Sequence, residues 1–298
     1  MKRCALIIPY FGTRWPIWFS LYLYSLEKNM DILDVYLFTD IIPPKNVPKN
    51  AKFYNLSFQQ YCEMVSKKLD IRFKPKNPYK LCDLKPFLPI IHSDILIGYD
   101  YVGFGDLDLI YGDLSSWLNN INKNKSLIST HIDRVSGHFV LIKNSPKILR
   151  KAYFIPKWKE ILQDDKHHGT DEGRFSFVHF PILWGISCVC QYKLKWRKFG
   201  KNICKPLKLF YPSLFLKEMF TTPLPKSNDK WWYNNGKIFD YKGREIPYLH
   251  FLFFKKTQYN PNNHLYWRDG YYELEDLIED KCICIDIDGI RYDELGDA

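Results

Sequence analysis

The sequence predicts an α/β fold, a mixed sheet flanked by helices with a less regular C-terminal half. Three observations predict it. Over residues 1–150, short apolar runs alternate with helix-length segments, the pattern of strands joined by helices. A length of 298 residues is ample to bury a core without a disulfide or metal staple. Apolar residues make up 46% of the chain and charged residues 26%, an ordinary globular composition that excludes a disordered chain. At about 150 residues per domain, one large domain or two small ones are expected. No internal repeat or linker is visible, so residues 1–268 read as one domain followed by an acidic tail, 269–298.

Each element has a local reason. Cys4–Tyr10 is an apolar run that reads as a strand. It imitates a signal peptide, but it is short, contains Pro9 and lacks an Ala-x-Ala cleavage site. Trp15–Asn29 follows as a helix, with Pro16 tolerated in its first turn. Asp34–Asp40 is a second strand ending in a carboxylate, and three prolines make residues 41–50 a loop. Ala51–Leu56 reads as a strand and Ser57–Leu69 as a helix. Tyr79–Pro89 is partly helical with a bend at Pro86, and Tyr99–Gly105 is a strand running into Asp106-Leu107-Asp108. Ser126–His131 and Gly137–Lys143 are further strands, and Pro146–Tyr153 a helix. From Phe175 to Tyr192 no residue carries a formal charge, which reaches the length of a membrane span. His179, Pro181, Gly185 and Gln191 make a buried strand and loop the expectation there. Residues 220–247, rich in Pro, Asn and Gly, are expected as loop before the apolar run Tyr248–Phe254.

The 43 cations exceed the 33 acids by 10, and 51 residues are aromatic. A basic, aromatic-rich surface implies an anionic partner: nucleic acid, a membrane surface or a phosphorylated substrate. The charge is uneven. Residues 269–298 hold 11 acidic and 2 basic side chains, which leaves +19 on residues 1–268. Residues 193–208 hold seven cations and no acid, close to Trp196, Phe199, Phe210 and Tyr211. This stretch is either a solvated face or a patch for an anionic membrane, with nucleic acid the weakest reading. Without a secretory signal, the eight cysteines read as reduced thiols in a cytoplasm. Cys188-Val-Cys190 and Cys282-Ile-Cys284 are too closely spaced for the usual zinc turn.

The strongest chemical signal is Tyr101-Val-Gly-Phe-Gly-Asp106-Leu-Asp108-Leu-Ile-Tyr-Gly-Asp113. An apolar strand delivers two carboxylates, one residue apart, at its C-terminal end, where open α/β sheets bind ligands. The spacing sends Asp106 and Asp108 to one side and Leu107 to the other. Two hard oxygen ligands with room left for phosphate oxygens suit Mg²⁺ or Mn²⁺.

In this context the chain resembles the metal-dependent glycosyltransferases of the GT-A fold, whose Asp-x-Asp motif follows a core strand. Lys80–Leu114 in particular is similar to a bacterial family associated with polysaccharide biosynthesis. The resemblance implies that Pro9, Tyr10 and Phe11 form the first-strand turn that meets the nucleotide, and that Asp40 contacts the base. It also implies that Lys80, Asp83 and Lys85 line the donor pocket. Within Tyr248-Leu-His250-Phe-Leu-Phe-Phe-Lys255-Lys256, it implies His250 as a third metal ligand beside Asp106 and Asp108, with Lys255 or Lys256 on the diphosphate. An imidazole is a suitable third ligand for an oxygen-rich Mn²⁺ site, and the alternative is a core histidine on an aromatic strand.

Asp171 and Glu172, after His167-His168-Gly169-Thr170, are the acidic candidates of the acceptor half (about 116–268). An inverting transferase needs such a base, but a helix start capped by Thr170 accounts for them equally well. His131, Asp133 and Ser136-Gly137-His138 lie where the family carries acceptor contacts. The resemblance implies transfer from a nucleotide-sugar donor, a UDP-sugar, to a saccharide acceptor held on a lipid diphosphate at the inner membrane. Two readings stand beside it: a non-enzymatic binder of membrane or nucleic acid, and a metal-dependent phosphoryl-transfer or hydrolytic enzyme. Cys284-Ile-Asp286-Ile-Asp288-Gly289 looks like a phosphatase nucleophile motif, but the chain ends ten residues after Asp288. That segment is expected to be part of an acidic, partly strand-like tail.

Overall fold

The computed structural model describes residues 3–16, 18–119, 125–129, 135–179, 213–215, 219–220, 230–250, 281–286 and 289–292. The chain forms a mixed α/β structure around a central sheet flanked by helices. The strands of its first half are β1 Cys4–Pro9, β2 Leu33–Thr39, β3 Ala51–Asn55, β4 Tyr101–Gly105, β5 Leu109–Tyr111, β6 Leu127–Ser129 and β7 Phe139–Lys143. With β8, Ser213–Phe215, six of these build a seven-stranded sheet in the order β3-β2-β1-β4-β7-β6-β8. β3, β2, β1 and β4 run parallel, whereas β7 pairs antiparallel to β4 and to β6.

The alternation along β1 explains why the sheet is covered on both faces. Ala5 and Ile7 join a core with helix α2, Phe58–Leu69, and with Leu84, Phe87 and Phe104. Leu6 and Ile8 join a second core with helix α1, Phe19–Glu27, and with Tyr111 and Phe139. In β4 the approach of β7 is so close that a Cβ on Gly103 would lie 1.8 Å from the Val140 carbonyl oxygen. Only glycine fits there.

Element ends follow local chemistry. α1 begins at Phe19, later than Trp15, because residues 12–14 bend outward and Trp15 stacks on both Tyr10 and Phe19. α2 starts at a capping box. Ser57 Oγ accepts the Gln60 N–H at 3.1 Å while Gln60 Oε1 accepts the Ser57 N–H at 2.8 Å. Residues 78–91 alternate between 3₁₀ and α turns, because Pro78, Pro86 and Pro89 each remove an N–H and crowd the turn before. The helix expected over Pro146–Tyr153 changes to 3₁₀ after Leu149. Phe175–His179, expected as part of a strand and loop, is helical and continues the turn Thr170–Arg174. Residues 180–192 lie outside the described residues.

The largest departure lies in residues 220–247. After β9, Met219–Phe220, come β10 Trp231–Asn234, β11 Lys237–Asp240 and β12 Glu245–Ile246, followed by β13 Tyr248–His250. Asn235 and Gly236 take positive φ, 43° and 80°, and close a two-residue hairpin between β10 and β11. Two strands of the expected acidic tail, β14 Ile283–Asp286 and β15 Gly289–Tyr292, complete a five-stranded antiparallel sheet in the order β12-β11-β10-β14-β15. Its apolar side, including Trp231, Tyr233, Ile238 and Ile285, packs on Leu21 of α1. A third sheet, β5-β13-β9, lies beside Asp108. Among the described residues no helix is long and apolar enough to cross a membrane.

Candidate functional site

The carboxylates after β4 stand where the parallel strands end. The chain at Asp106 is pinned from two sides: the Asp106 N–H donates to the His138 carbonyl at 2.9 Å, and Trp18 Nε1–H donates to the Leu107 carbonyl at 2.7 Å. Leu107 turns into the core, but residues 106–108 lie between β4 and β5 rather than in a strand, so strand alternation does not set their side chains. Asp108 is buried at 2% exposure, and its Oδ2 meets His250 Nε2 at 3.3 Å. The pairing of β5 with β13 sets Leu109 opposite His250 and so brings the late histidine to Asp108. His138, from the turn before β7, stacks on the His250 ring with centroids 4.0 Å apart and planes 20° from parallel.

Asp106 is partly open and faces a different partner. Lys85 Nζ donates to Asp106 Oδ1 at 2.7 Å and to the Gly137 carbonyl at 2.9 Å, and lies 3.4 Å from Asp171 Oδ2. Burial works against the Lys85 ammonium, but Asp106, Cys82 and Asp171 outweigh it and hold its pKa well above the ordinary lysine value. Lys85 thus links the Asp106 and Asp171 carboxylates, 65 positions apart in the sequence. Burial pushes the Asp171 carboxyl up to about 6, with Lys85 pulling down and Glu172, Asp106 and Asp83 pushing further up. Asp171 also serves its own turn, since Oδ1 accepts the Glu172 N–H at 3.1 Å. Both readings of this residue therefore have a contact: one oxygen at a helix start, the other on the lysine. The residue before that turn is Gly169, at φ 61°, so Thr170 is within the turn and does not cap it. Glu172 Oε1 accepts the Gly137 N–H at 3.2 Å. A Cβ on Gly137 would stand 2.6 Å from Asp171 Oδ2, so the small residue lets the two acids close on this loop.

Other expected donor contacts are placed differently. Lys80 and Asp83 are buried inside the fold, at 1% and 0% side-chain exposure, and pair at 3.0 Å. Lys80 also donates to the carbonyls of Ile161 and Lys166. Asp83 accepts the N–H groups of His168 and Thr170. Burial pushes its carboxyl up, but these donors prevail and hold it below the ordinary value. Their charged atoms tie the 81–91 turns to the segment leading into Asp171, rather than facing a donor pocket. Phe11 is likewise core, packed against Phe58 and Tyr61. Pro9 ends β1, Tyr10 lies half-buried on Trp15, and Asp40 is exposed beside it, accepting the Gly12 N–H at 3.2 Å. Lys255, Lys256, His131, Asp133 and the basic stretch 193–208 lie outside the described residues. Sequence reasoning underrated Ser136-Gly137-His138. The signal was available as a polar, glycine-containing turn entering a strand that pairs with the motif strand.

These side chains meet the requirements of a divalent metal in part. Among the described residues, no three His, Cys, Asp or Glu side chains are grouped as they would be around a metal ion. The donor chemistry nonetheless fits: a buried carboxylate and imidazole in contact, Asp108 with His250, and the partly open carboxylate of Asp106 two residues before. Oxygen donors with one imidazole suit Mn²⁺ or Mg²⁺.

The model of a family of unknown function, DUF6625, matches residues 6–274. No curated protein matches the chain. Among solved structures, the chain is similar to the crystal structure of the glycosyltransferase GlyE in Streptococcus pneumoniae TIGR4. The identity is 14% and the TM-score 0.32, with 89% of this chain and 57% of that one covered. The chain thus spans less than two thirds of that protein's length.

Proposed function

The chain belongs to DUF6625, a family of unknown function, and from that premise we propose that it is a glycosyltransferase acting on a nucleotide diphosphate sugar. The donor would be a UDP-sugar and the acceptor a saccharide of bacterial surface polysaccharide synthesis. One observation carries the reading. Where the parallel strands end, Lys85 bridges Asp106 and the buried Asp171 carboxyl, whose pKa is about 6, while Asp108, two residues from Asp106, meets His250. Acceptor deprotonation and leaving-group stabilisation need such groups side by side.

Asp106, Asp108 and His250 would hold Mn²⁺ or Mg²⁺, which supplies Lewis-acid neutralisation of charge on the leaving diphosphate. Asp171 takes the proton of the attacking acceptor hydroxyl at Oδ2, as an inverting reaction requires. Lys85 keeps that oxygen directed at the site and balances the charge of Asp106. Glu172, held by the Gly137 N–H, orients the acceptor. Pro9, Tyr10 and Asp40 line the nucleotide side, and Lys255 or Lys256 offsets diphosphate charge. The stretch 193–208 docks on an anionic membrane surface, where a lipid-diphosphate-linked acceptor sits.

Incubation with a panel of nucleotide sugars and Mn²⁺ tests the reading. UDP release is expected, and it disappears with EDTA and in Asp108→Asn. Absence of nucleotide-sugar binding by calorimetry at every metal concentration would overturn the proposal. Phosphate release without sugar transfer would favour a hydrolytic enzyme instead.

A further inference from the structure

His138 was expected among acceptor contacts, yet it is buried at 4% exposure and three of its contacts lie at the acidic site. Its carbonyl accepts the Asp106 N–H at 2.9 Å. Its ring lies on the His250 ring at 4.0 Å. Its Nε2 meets the Tyr248 hydroxyl at 3.0 Å. Tyr248 and His250 are two residues apart on β13 and so project to one face, and the His138 ring spans both. Stacking alone would require only an aromatic ring. The nitrogen on the Tyr248 hydroxyl does something more: it fixes the rotation of the His138 ring, and therefore the plane against which His250 rests.

We infer that His138 is a positioning residue, which holds the His250 imidazole against Asp108 and the main chain at Asp106 in one arrangement. It belongs neither to β13 nor to the segment after β4 that carries Asp106, and it touches both. A ring seated in this way reduces the orientations open to His250, so that its Nε2 is presented to Asp108 without reorganisation. Tyr248 is the anchor of the device. The functional consequence rests on the proposed transferase reading, but the placement of His250 does not.

The test is the ring-nitrogen NMR spectrum of His250, assigned by its loss in His250→Gln, in the wild type, Tyr248→Phe and His138→Phe. One dominant tautomer is expected in the wild type. Both variants should give an averaged mixture, although His138→Phe keeps a stacking ring. In the same variants, affinity for Mn²⁺ alone, read by electron paramagnetic resonance, should weaken about 10-fold. The double variant should be no worse than either single one, because both remove the same bond. An unchanged His250 signal in folded Tyr248→Phe and His138→Phe would overturn the inference. If His138→Phe fails to fold, Tyr248→Phe decides alone, since it deletes one oxygen and little else. A wild type that binds no Mn²⁺ would remove the metal from the proposed function, while the ring spectra still settle the role of His138.

Discussion

Asp171 shows how one residue can be costly to the fold and still suit the proposed reaction. Its carboxyl keeps its proton up to about pH 6 in the folded chain, against an ordinary value of 3.8, mainly because it is buried. Between those values the folded state binds more protons than the unfolded one, so stability falls as pH rises. The penalty is absent below about pH 4 and fully present above about pH 6, where a rise of this size in a carboxyl pKa costs about 3 kcal/mol. Asp171→Asn should therefore melt a few degrees higher than the wild type at pH 7.5, with the gap closing toward pH 4, in a calorimetric series. The same variant should lose about 100-fold or more in turnover, and wild-type kcat/KM should fall on the acid side of about pH 6. A variant that is less stable than wild type at pH 7.5 would contradict this account. At this scale the sequence was partly legible. Asp106-Leu-Asp108 stood out as a candidate pair by spacing, and Asp171 as a candidate by chemical type. The Lys85 bridge between them was hidden, because it joins residues 21 and 86 positions apart.

Elements were legible where periodicity or turn chemistry was local. The two-sided burial of β1 and the Ser57–Gln60 box both stand in consecutive residues. The β10–β11 hairpin shows the opposite error. Asn235-Gly236 between Trp231/Tyr233 and Ile238 was a hairpin signal that the nearby prolines obscured. Lys80 and Asp83 illustrate a second kind of misreading, since charged residues on a short helical segment look like ligand contacts until their burial is known. Their pair fastens the 81–91 turns to the segment preceding Asp171. Asp83→Ala leaves a buried ammonium with its carboxylate gone, and should cost about 3–5 kcal/mol in urea denaturation at pH 7. A loss below about 1 kcal/mol, with donor affinity reduced instead, would return Asp83 to the donor pocket.

For the molecule as a whole, the formal charge of +10 averages a basic body and an acidic C-terminal region whose strands β14 and β15 are built into a sheet. Composition could not reveal that incorporation, because a charge count carries no information on pairing. The basic stretch 193–208 supports a prediction that does not depend on catalysis. The protein should cosediment with vesicles containing anionic phospholipid at low salt, and release as ionic strength rises toward about 0.5 M. Charge reversal at Lys195, Arg197 and Lys198 should abolish the association. Equal binding to neutral vesicles, or binding indifferent to salt, would assign the stretch to a solvated face.

The β5–β13 pairing has a consequence in time as well as in space. Leu109 meets His250, a residue made about 140 positions later, so a nascent chain exposes the Asp108 strand edge long before its partner leaves the ribosome. That edge is a template for other strands until it is covered. The proposed reactive centre is also assembled only once His250 has emerged. A growing chain therefore cannot complete the Asp108–His250 contact before β13 has been synthesised.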